Sequence, residues 1–134
     1  MIDKTGSTLP KLLLIDDDPN IRESLQAILM DEGFDVTAAA NGSDAIEIMD
    51  APEAHYALVI MDWYLPTELS GYSLLNSIRE HDPNIRVIVL SGDPDLVDTL
   101  TEDNASEATT AVQKPITDFN AFLSLIRSMS GIAS

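Results

Sequence analysis

The chain has 134 residues, enough for one compact domain and too few for two of ordinary size. It contains no cysteine, which excludes disulfide frameworks, thiolate metal sites and cysteine nucleophiles. Its formal charge of −16, from 23 acidic and 7 basic residues, argues against direct binding to nucleic acid or an anionic membrane. No apolar run approaches a bilayer span and the first residues lack a secretion signal, so we expect a cytoplasmic protein.

The chain shows no internal repeat or linker, so its division into parts is simple. Residues 1–10 are polar and end in proline, which predicts a flexible N-terminal arm. From residue 11 onward, short apolar runs alternate with stretches of helical periodicity. We therefore expect one domain over residues 11–130, followed by a C-terminal tail over 131–134.

The first third of the chain predicts two strands and two helices. The continuous apolar run Leu12–Ile15 is typical of a strand covered on both faces. Asp18–Pro19 follows as a helix cap with proline at the first helical position, and Gly33 ends that helix. Phe34–Ala38 is a plausible second strand, and the turn at 41–43 leads into a short helix.

The remaining chain continues the alternation. Further apolar runs predict strands over Ala57–Met61, Val87–Leu90 and Thr110–Gln113. Apolar spacing predicts a third helix around 74–78 and a last helix over 119–126 that is capped by Thr117. The pair Asp93–Pro94 predicts a helix between the fourth and fifth strands, although the stretch from 99 to 110 has little apolar periodicity.

Alternating strands and helices favour a parallel sheet with helices on both faces, joined by right-handed crossovers. Ligands of such sheets bind outside the carboxyl ends of the strands. Polar residues stand at these ends in the sequence: Asp16, Asp17, Asp18, Asp62, Ser91 and Lys114.

Clustered carboxylates repel one another, and a hard cation such as Mg²⁺ relieves that repulsion. A carboxylate beside the metal can attack phosphorus, while lysine and serine contact phosphate oxygens. Asp18 is interpreted as the helix cap rather than a metal ligand.

Four short motifs carry a family resemblance. Leu-Ile-Asp16-Asp17-Asp18-Pro, Val-Ile-Met-Asp62-Trp-Tyr-Leu-Pro66, Val-Leu-Ser91-Gly and Gln-Lys114-Pro115 resemble the motifs of response-regulator receiver domains of two-component systems. The resemblance covers about residues 11–130 and depends on the order and spacing of the four motifs together. It implies an α/β, flavodoxin-like, doubly wound sheet of five parallel strands in the order 2-1-3-4-5, with five helices.

The resemblance also implies roles for individual residues. Asp62 would be the phosphoacceptor. The implied ligands of Mg²⁺, or of Mn²⁺ in its place, are Asp16, Asp17, Asp62 and the main-chain carbonyl of Tyr64. Ser91 and Lys114 would bind the phosphoryl group, and Ser91 would sense it. No organic cofactor is implied.

The implied function is signal transduction by a phosphoprotein within a phosphorelay. The donor would be a phosphohistidine on a sensor histidine kinase or a histidine phosphotransfer protein. The chain would act as a phosphoacceptor rather than as an enzyme, with limited self-phosphorylation from small donors and limited self-dephosphorylation. It would signal to a downstream target by a conformational shift, without contacting nucleic acid or membrane directly.

The sequence departs from the family pattern in three places, one of which is Glu107-Ala108, where the family usually has Gly-Ala before the fifth strand. The loop from Pro66 to Gly71 is one residue longer than the commonest form. The family usually carries tyrosine or phenylalanine three residues before the lysine, and Ala111 stands there instead. Because alanine has no ring to rotate, we expect phosphorylation to order or shift the segment from 99 to 110.

Two alternatives remain open from the sequence. One is a phosphohydrolase of the haloacid-dehalogenase type that uses Asp16 as its nucleophile. Against it, no acidic motif follows Lys114 and Asp62 would be idle. The other is a receiver-like interaction module that is never phosphorylated, which Ala111 keeps open.

Several other residues receive simple interpretations. The neighbours Trp63 and Tyr64 are interpreted as aromatics on the rim of the site. The arginines at 79, 86 and 127 are interpreted as surface residues. No function is assigned to His55 or His81.

Overall fold

The computed structural model describes residues 9–52, 55–64, 71–95 and 109–131. The strands are β1 Lys11–Ile15, β2 Asp35–Ala39, β3 Leu58–Asp62, β4 Arg86–Ser91 and β5 Thr109–Gln113. They form one parallel sheet in the order β2-β1-β3-β4-β5, which confirms the predicted topology. The helices within the described residues are α1 Pro19–Asp31, α2 Gly42–Asp50, α3 Gly71–His81 and α4 Phe119–Met129.

Some predictions fall outside the described residues. The helix predicted after Asp93–Pro94 and the segment from 99 to 110 lie largely within residues 96–108, which are not described. Most of the predicted arm and tail are likewise outside the described ranges. No helix in the described part of the chain has both the length and the hydrophobicity needed to cross a membrane.

The apolar strands build one core on each face of the sheet. Leu12, Leu14 and Ile60 pack on the face covered by α1 and α4, with Leu29 and Ile126 from those helices. The alternate strand residues pack on the face covered by α2 and α3, namely Leu13, Ile15, Val59, Met61, Val87 and Val89. This alternation is the pleat of each strand, and it leaves β1 and β3 buried on both sides.

Helix ends largely follow the predicted signals. The Asp18 carboxylate accepts a hydrogen bond from Asn20 N at 2.9 Å and caps α1. Gly33, after the end of α1, has a φ of 98°, a conformation that favours glycine. The prediction of Thr117 as the cap of the last helix is wrong. Asp118 is the cap, because its carboxylate reaches Ala121 N at 3.0 Å.

The second strand begins one residue later than predicted. Phe34 N donates to Leu29 O at 3.1 Å, so this residue completes the turn that ends α1. Its side chain is fully buried. Burial therefore marks Phe34 as core, while its backbone hydrogen bond assigns it to the helix end rather than to the sheet.

Two of the arginines interpreted as surface residues, Arg79 and Arg86, donate hydrogen bonds to other elements of the fold, which was not predicted. Arg79 donates to the carbonyl of Ile85 and, at 2.6 Å, to the hydroxyl of Thr109 at the start of β5. Arg86 donates to the Met129 carbonyl at 3.1 Å at the end of α4. These side chains bond the main-chain carbonyls of Ile85, between α3 and β4, and of Met129, at the end of α4, and charge alone does not reveal such contacts.

Candidate functional site

Sheet register brings the polar strand ends together. Ile15 pairs with Met61, so the residues that follow them, Asp16 and Asp62, meet at the carboxyl edge. Asp62 pairs with Leu90 on β4, and Ser91 comes next. Ser91 in turn pairs with Gln113 on β5, which directly precedes Lys114. The site is therefore a direct product of the parallel register.

Three carboxylates converge at this edge. One oxygen from each of Asp16, Asp17 and Asp62 lies within 4.8 Å of the others. Asp16 and Asp62 are buried, with 3% and 8% of their surface exposed, whereas Asp17 is exposed. Oxygen ligands from a few carboxylates, with room for water on the exposed side, fit the coordination that Mg²⁺ prefers.

Asp16 is held by the main chain around it. Its N–H donates to Ala39 O at 3.1 Å, and its carboxylate accepts from Asp18 N at 2.9 Å. Burial raises the pKa of Asp16, the hydrogen bond from Asp18 opposes that effect, and the charge of Asp62 raises the pKa further. The ionised form of Asp16 is thus disfavoured by its surroundings, and a bound cation would favour it.

Asp62 is contacted on both of its oxygens. Oδ1 accepts a hydrogen bond from Tyr64 N at 3.2 Å, and Oδ2 accepts one from Lys114 Nζ at 3.1 Å. The ammonium group of Lys114 therefore lies beside Asp62, where it could also contact a negatively charged oxygen of a ligand bound next to this carboxylate.

Ser91 is fully buried at the end of β4. Its hydroxyl accepts from Asp93 N at 3.1 Å, and its carbonyl accepts from Lys114 N at 2.7 Å. Because the hydroxyl serves as acceptor in the first contact, it can donate its proton to another acceptor. The peptide bond between Lys114 and Pro115 is cis.

Of the two aromatic residues after Asp62, Tyr64 lies where predicted and Trp63 does not. Trp63 is not on the rim: it is 6% exposed and packs edge-on against Tyr72, with ring centroids 4.7 Å apart. Tyr64 is 61% exposed, and its hydroxyl donates to the Asp93 carboxylate at 3.4 Å. Only Tyr64 therefore lies on the rim of the site.

One residue of the site was missed by sequence reasoning. Arg22 of α1 donates from Nη1 to the main-chain carbonyl of Asp16 at 2.8 Å. Its N–H also bonds the Asp18 carbonyl at 2.9 Å, which puts it in the first helical turn. Its spacing four residues after the cap was the available signal, because side chains on a helix point back toward its N-terminus.

An apolar groove of about 660 Å³ opens beside the carboxylates. It runs between α1 and the segment that follows β5, and it reaches Asp16 and Lys114. Ile21 and Ile28, which line it, are 49% and 41% exposed. An apolar surface of this kind, next to a charged site, is suited to contact another protein.

The fold and the site together define a small doubly wound α/β protein with a carboxylate-lined ligand site at the strand ends. Residues 12–127 match the family model described as the response regulator receiver domain. The chain belongs to this family, which confirms the resemblance seen in the sequence.

Solved structures show the same fold. The receiver domain of the Francisella response regulator 1452 is 27% identical with a TM-score of 0.77, over 91% of this chain and 97% of that one. The response regulator TrrA from Thermotoga maritima, solved in complex with Mg²⁺-BeF, is 28% identical with a TM-score of 0.72, over 90% of this chain and 99% of that one.

Curated relatives are longer proteins. An NtrX-like response regulator of Rickettsia bellii is 37% identical over 86 residues, which is 63% of this chain and 18% of the relative. The transcriptional regulatory protein AruR of Pseudomonas aeruginosa is 38% identical over 96 residues, which is 69% of this chain and 38% of the relative. The chain thus spans well under half the length of these relatives.

Proposed function

We propose that the chain accepts a phosphoryl group on the carboxylate of Asp62, with Mg²⁺ held by neighbouring oxygen ligands. The proposed ligands are Asp16, Asp17, Asp62 and the main-chain carbonyl of Tyr64. One observation carries the proposal: three carboxylates lie within 4.8 Å, and the lysine ammonium contacts only one of them, Asp62. Mn²⁺ would fit the same oxygen ligands.

The roles follow from charge. An Asp62 oxygen attacks phosphorus, a new O–P bond forms, and the bond to the donor breaks with its electron pair leaving on the donor. Mg²⁺, when bound, neutralises charge on the phosphoryl oxygens. Lys114 is placed to pair with one of those oxygens, and the Ser91 hydroxyl can donate to another. The carbonyl of Tyr64 remains a ligand by resemblance.

The hydrolase alternative is less well supported. It requires the ionised carboxylate of Asp16 to attack phosphorus, yet burial raises the pKa of Asp16 and disfavours that form. The lysine contacts Asp62 instead. Membership of the receiver family also favours a signalling phosphoacceptor over a hydrolase with steady turnover. An interaction module that is never phosphorylated would have no use for this set of carboxylates and lysine.

The proposed donor is a phosphohistidine on a sensor histidine kinase or a histidine phosphotransfer protein. The groove lined by Ile21 and Ile28 supports a protein as the donor, because this exposed apolar surface extends to Asp16 and Lys114 beside the proposed phosphoacceptor. In the phosphoryl transfer, the N–P bond of phosphohistidine breaks as the O–P bond forms. Self-phosphorylation from small donors and self-dephosphorylation belong to the same proposal.

Output to a downstream target by a conformational shift, in the cytoplasm, is also part of the proposal. AruR carries the name of a transcriptional regulatory protein. The proposal that nucleic acid is not contacted directly therefore applies only to these 134 residues and not to longer relatives. Their charge of −16 disfavours contact with a phosphate backbone.

The test is intact-mass analysis after incubation with acetyl phosphate and Mg²⁺. The wild-type protein should gain one acid-labile phosphoryl group, and Asp62→Asn should gain none. Asp118→Asn is the matched control, because asparagine also caps helices and the Asp118 carboxylate bonds Ala121 N at the start of α4 rather than a residue of the site. Equal labelling of Asp62→Asn and wild type, or no labelling of wild type at any Mg²⁺ concentration, would refute the proposal.

A further inference from the structure

We infer that Arg22 is a positioning residue, which orients the peptide between Asp16 and Asp17 so that both carboxylates face the cation. The inference rests on the proposed function. Its observation is the hydrogen bond from Arg22 Nη1 to the main-chain carbonyl of Asp16 at 2.8 Å. The side chain thereby connects the first turn of α1 to the end of β1, where the metal ligands begin.

The effect passes through one planar group. The carbonyl of Asp16 and the N–H of Asp17 belong to the same peptide plane. Fixing that carbonyl therefore fixes the direction in which the chain enters Asp17. Asp16 is also held by burial and by its bond to Ala39 O, but Asp17 is exposed and is not held by packing. Arg22 accordingly matters most for Asp17.

The kind of contact supports positioning rather than charge neutralisation. Arg22 bonds a main-chain carbonyl, which leaves the carboxylates of Asp16 and Asp17 for a cation. Arg22 also lines a cavity of about 470 Å³, beside the small side chains of Ala38 to Ala40 and the acidic residues Asp44 and Glu47. Groups that orient metal ligands typically change metal affinity tenfold or more when they are removed.

A second residue of α1, Gln26, serves as the control for a role of Arg22 that is only structural. Gln26 of α1 donates from Nε2 to the Val36 carbonyl at 2.9 Å. It therefore also connects α1 to the main chain of the sheet, and it is part-buried as Arg22 is. Gln26 lies one helical turn farther from the carboxylates. Loss of either side chain should weaken the anchoring of α1, but only loss of Arg22 should disturb the site.

The experiment compares Arg22→Met, Arg22→Lys and Gln26→Met with wild type. Mg²⁺ affinity is measured by calorimetric titration, and stability by urea unfolding in EDTA. Arg22→Met should weaken Mg²⁺ binding about tenfold. Arg22→Lys, which keeps a donor, should recover most of the affinity. Gln26→Met should lose stability and bind Mg²⁺ as wild type does. In the metal-free protein, amide exchange at Asp18, whose N–H bonds the Asp16 carboxylate at 2.9 Å, should accelerate in Arg22→Met and not in Gln26→Met.

Two results separate the inference from the proposed function. If wild type binds Mg²⁺ and Arg22→Met binds it equally well, Arg22 only anchors α1 and the inference is wrong. If wild type itself binds no Mg²⁺, the proposed function fails. Should Arg22→Met not fold, Arg22→Gln replaces it, since glutamine is polar but too short to reach the carbonyl. Unchanged Mg²⁺ affinity in that variant would equally overturn the inference.

Discussion

Lys114 Nζ lies 3.1 Å from Oδ2 of Asp62, although β4 lies between β3, which ends at Asp62, and β5, which Lys114 follows. The lysine side chain therefore extends across the end of β4 to reach the third strand. This contact joins Asp62, the carboxylate proposed to accept the phosphoryl group, to Lys114, whose ammonium group is proposed to pair with a phosphoryl oxygen.

We predict that Lys114→Met slows phosphorylation of Asp62 by about a hundredfold, the typical cost of removing one donor to developing negative charge. Mg²⁺ affinity should be unchanged or tighter, because a positive charge is removed from beside a cation site. Labelling with acetyl phosphate and Mg²⁺ titration measure the two effects. Lys114→Arg is the control that keeps the charge. An equal loss of labelling and Mg²⁺ affinity in Lys114→Met would show that the lysine supports the metal site instead.

Asp16→Asn should stabilise the metal-free protein at neutral pH and remove its stabilisation by Mg²⁺. Burial raises the pKa of Asp16 above its usual 3.8, so the folded state binds that proton more tightly than the unfolded chain does. The stability from protonated Asp16 is complete below pH 3.8 and is lost as pH rises through the raised pKa. At neutral pH the ionised carboxylate therefore opposes folding, and asparagine keeps the acceptor for Asp18 N.

Thermal unfolding with and without Mg²⁺ tests this prediction. Asp17→Asn is the matched control within the same cluster: because Asp17 is exposed, its replacement should raise the melting temperature less while also weakening Mg²⁺ binding. A lower melting temperature for metal-free Asp16→Asn than for wild type at neutral pH would contradict the assignment of Asp16 as a destabilising ligand.

Gly71→Ala should destabilise the protein by about 1–3 kcal/mol, the usual cost of overpacking. A Cβ at Gly71 would lie 2.5 Å from the indole ring of Trp63, and both the ring and the first turn of α3 would have to move. This cost exceeds the roughly 1 kcal/mol by which alanine favours a helix over glycine. Gly92→Ala is the control, because nothing lies within 4 Å of its Cβ position. Urea unfolding followed by Trp63 fluorescence reads both variants. Equal stability of the two would show that the indole has room to shift.

His81 should contribute a small, pH-dependent stabilisation. Its Nε2 contacts the Asp50 carboxylate and its Nδ1 faces the Ser77 carbonyl, and the hydrogen bond to Asp50 raises the pKa of His81 above 6.5. The stabilisation is therefore full below pH 6.5 and is lost as pH rises through the raised pKa. His81→Gln should cost at most about 1 kcal/mol at pH 6, because water screens this exposed pair, and less at pH 9. Urea unfolding of His81→Gln, with His55→Gln as the control, tests this prediction. If His81→Gln lost the same free energy of unfolding at pH 6 and at pH 9, the imidazole would act without its charge.

The sheet and the carboxylate cluster were predictable because both depend on short-range patterns. Continuous apolar runs indicated the buried strands, and a polar residue after each run indicated the carboxyl edge. The strand order followed from family resemblance rather than from periodicity. Trp63 was misplaced although a signal existed: Val59, Met61 and Trp63 recur at every second position, so they face the same core.

Contacts between distant elements were not predictable. Arg79 donates to the Thr109 hydroxyl across 30 residues of sequence, and no local sequence pattern indicates which acceptor the guanidinium will meet. Arg22 had only its helical spacing to indicate that it turns toward β1. His81 was assigned no partner because Asp50 belongs to a different helix. Such contacts depend on how α1, α2 and α3 pack against one another and against the sheet in three dimensions.

The assembly of the site from separate strand ends has a consequence for the growing polypeptide. Asp16 and Asp62 emerge from the ribosome well before Lys114, which follows the last strand. Until β5 has been synthesised and added to the sheet edge, the early carboxylates lack their lysine and share only negative charge. The proposed phosphorylation of Asp62 is thereby disfavoured on a nascent chain, because the lysine that would pair with a phosphoryl oxygen reaches the site only with β5.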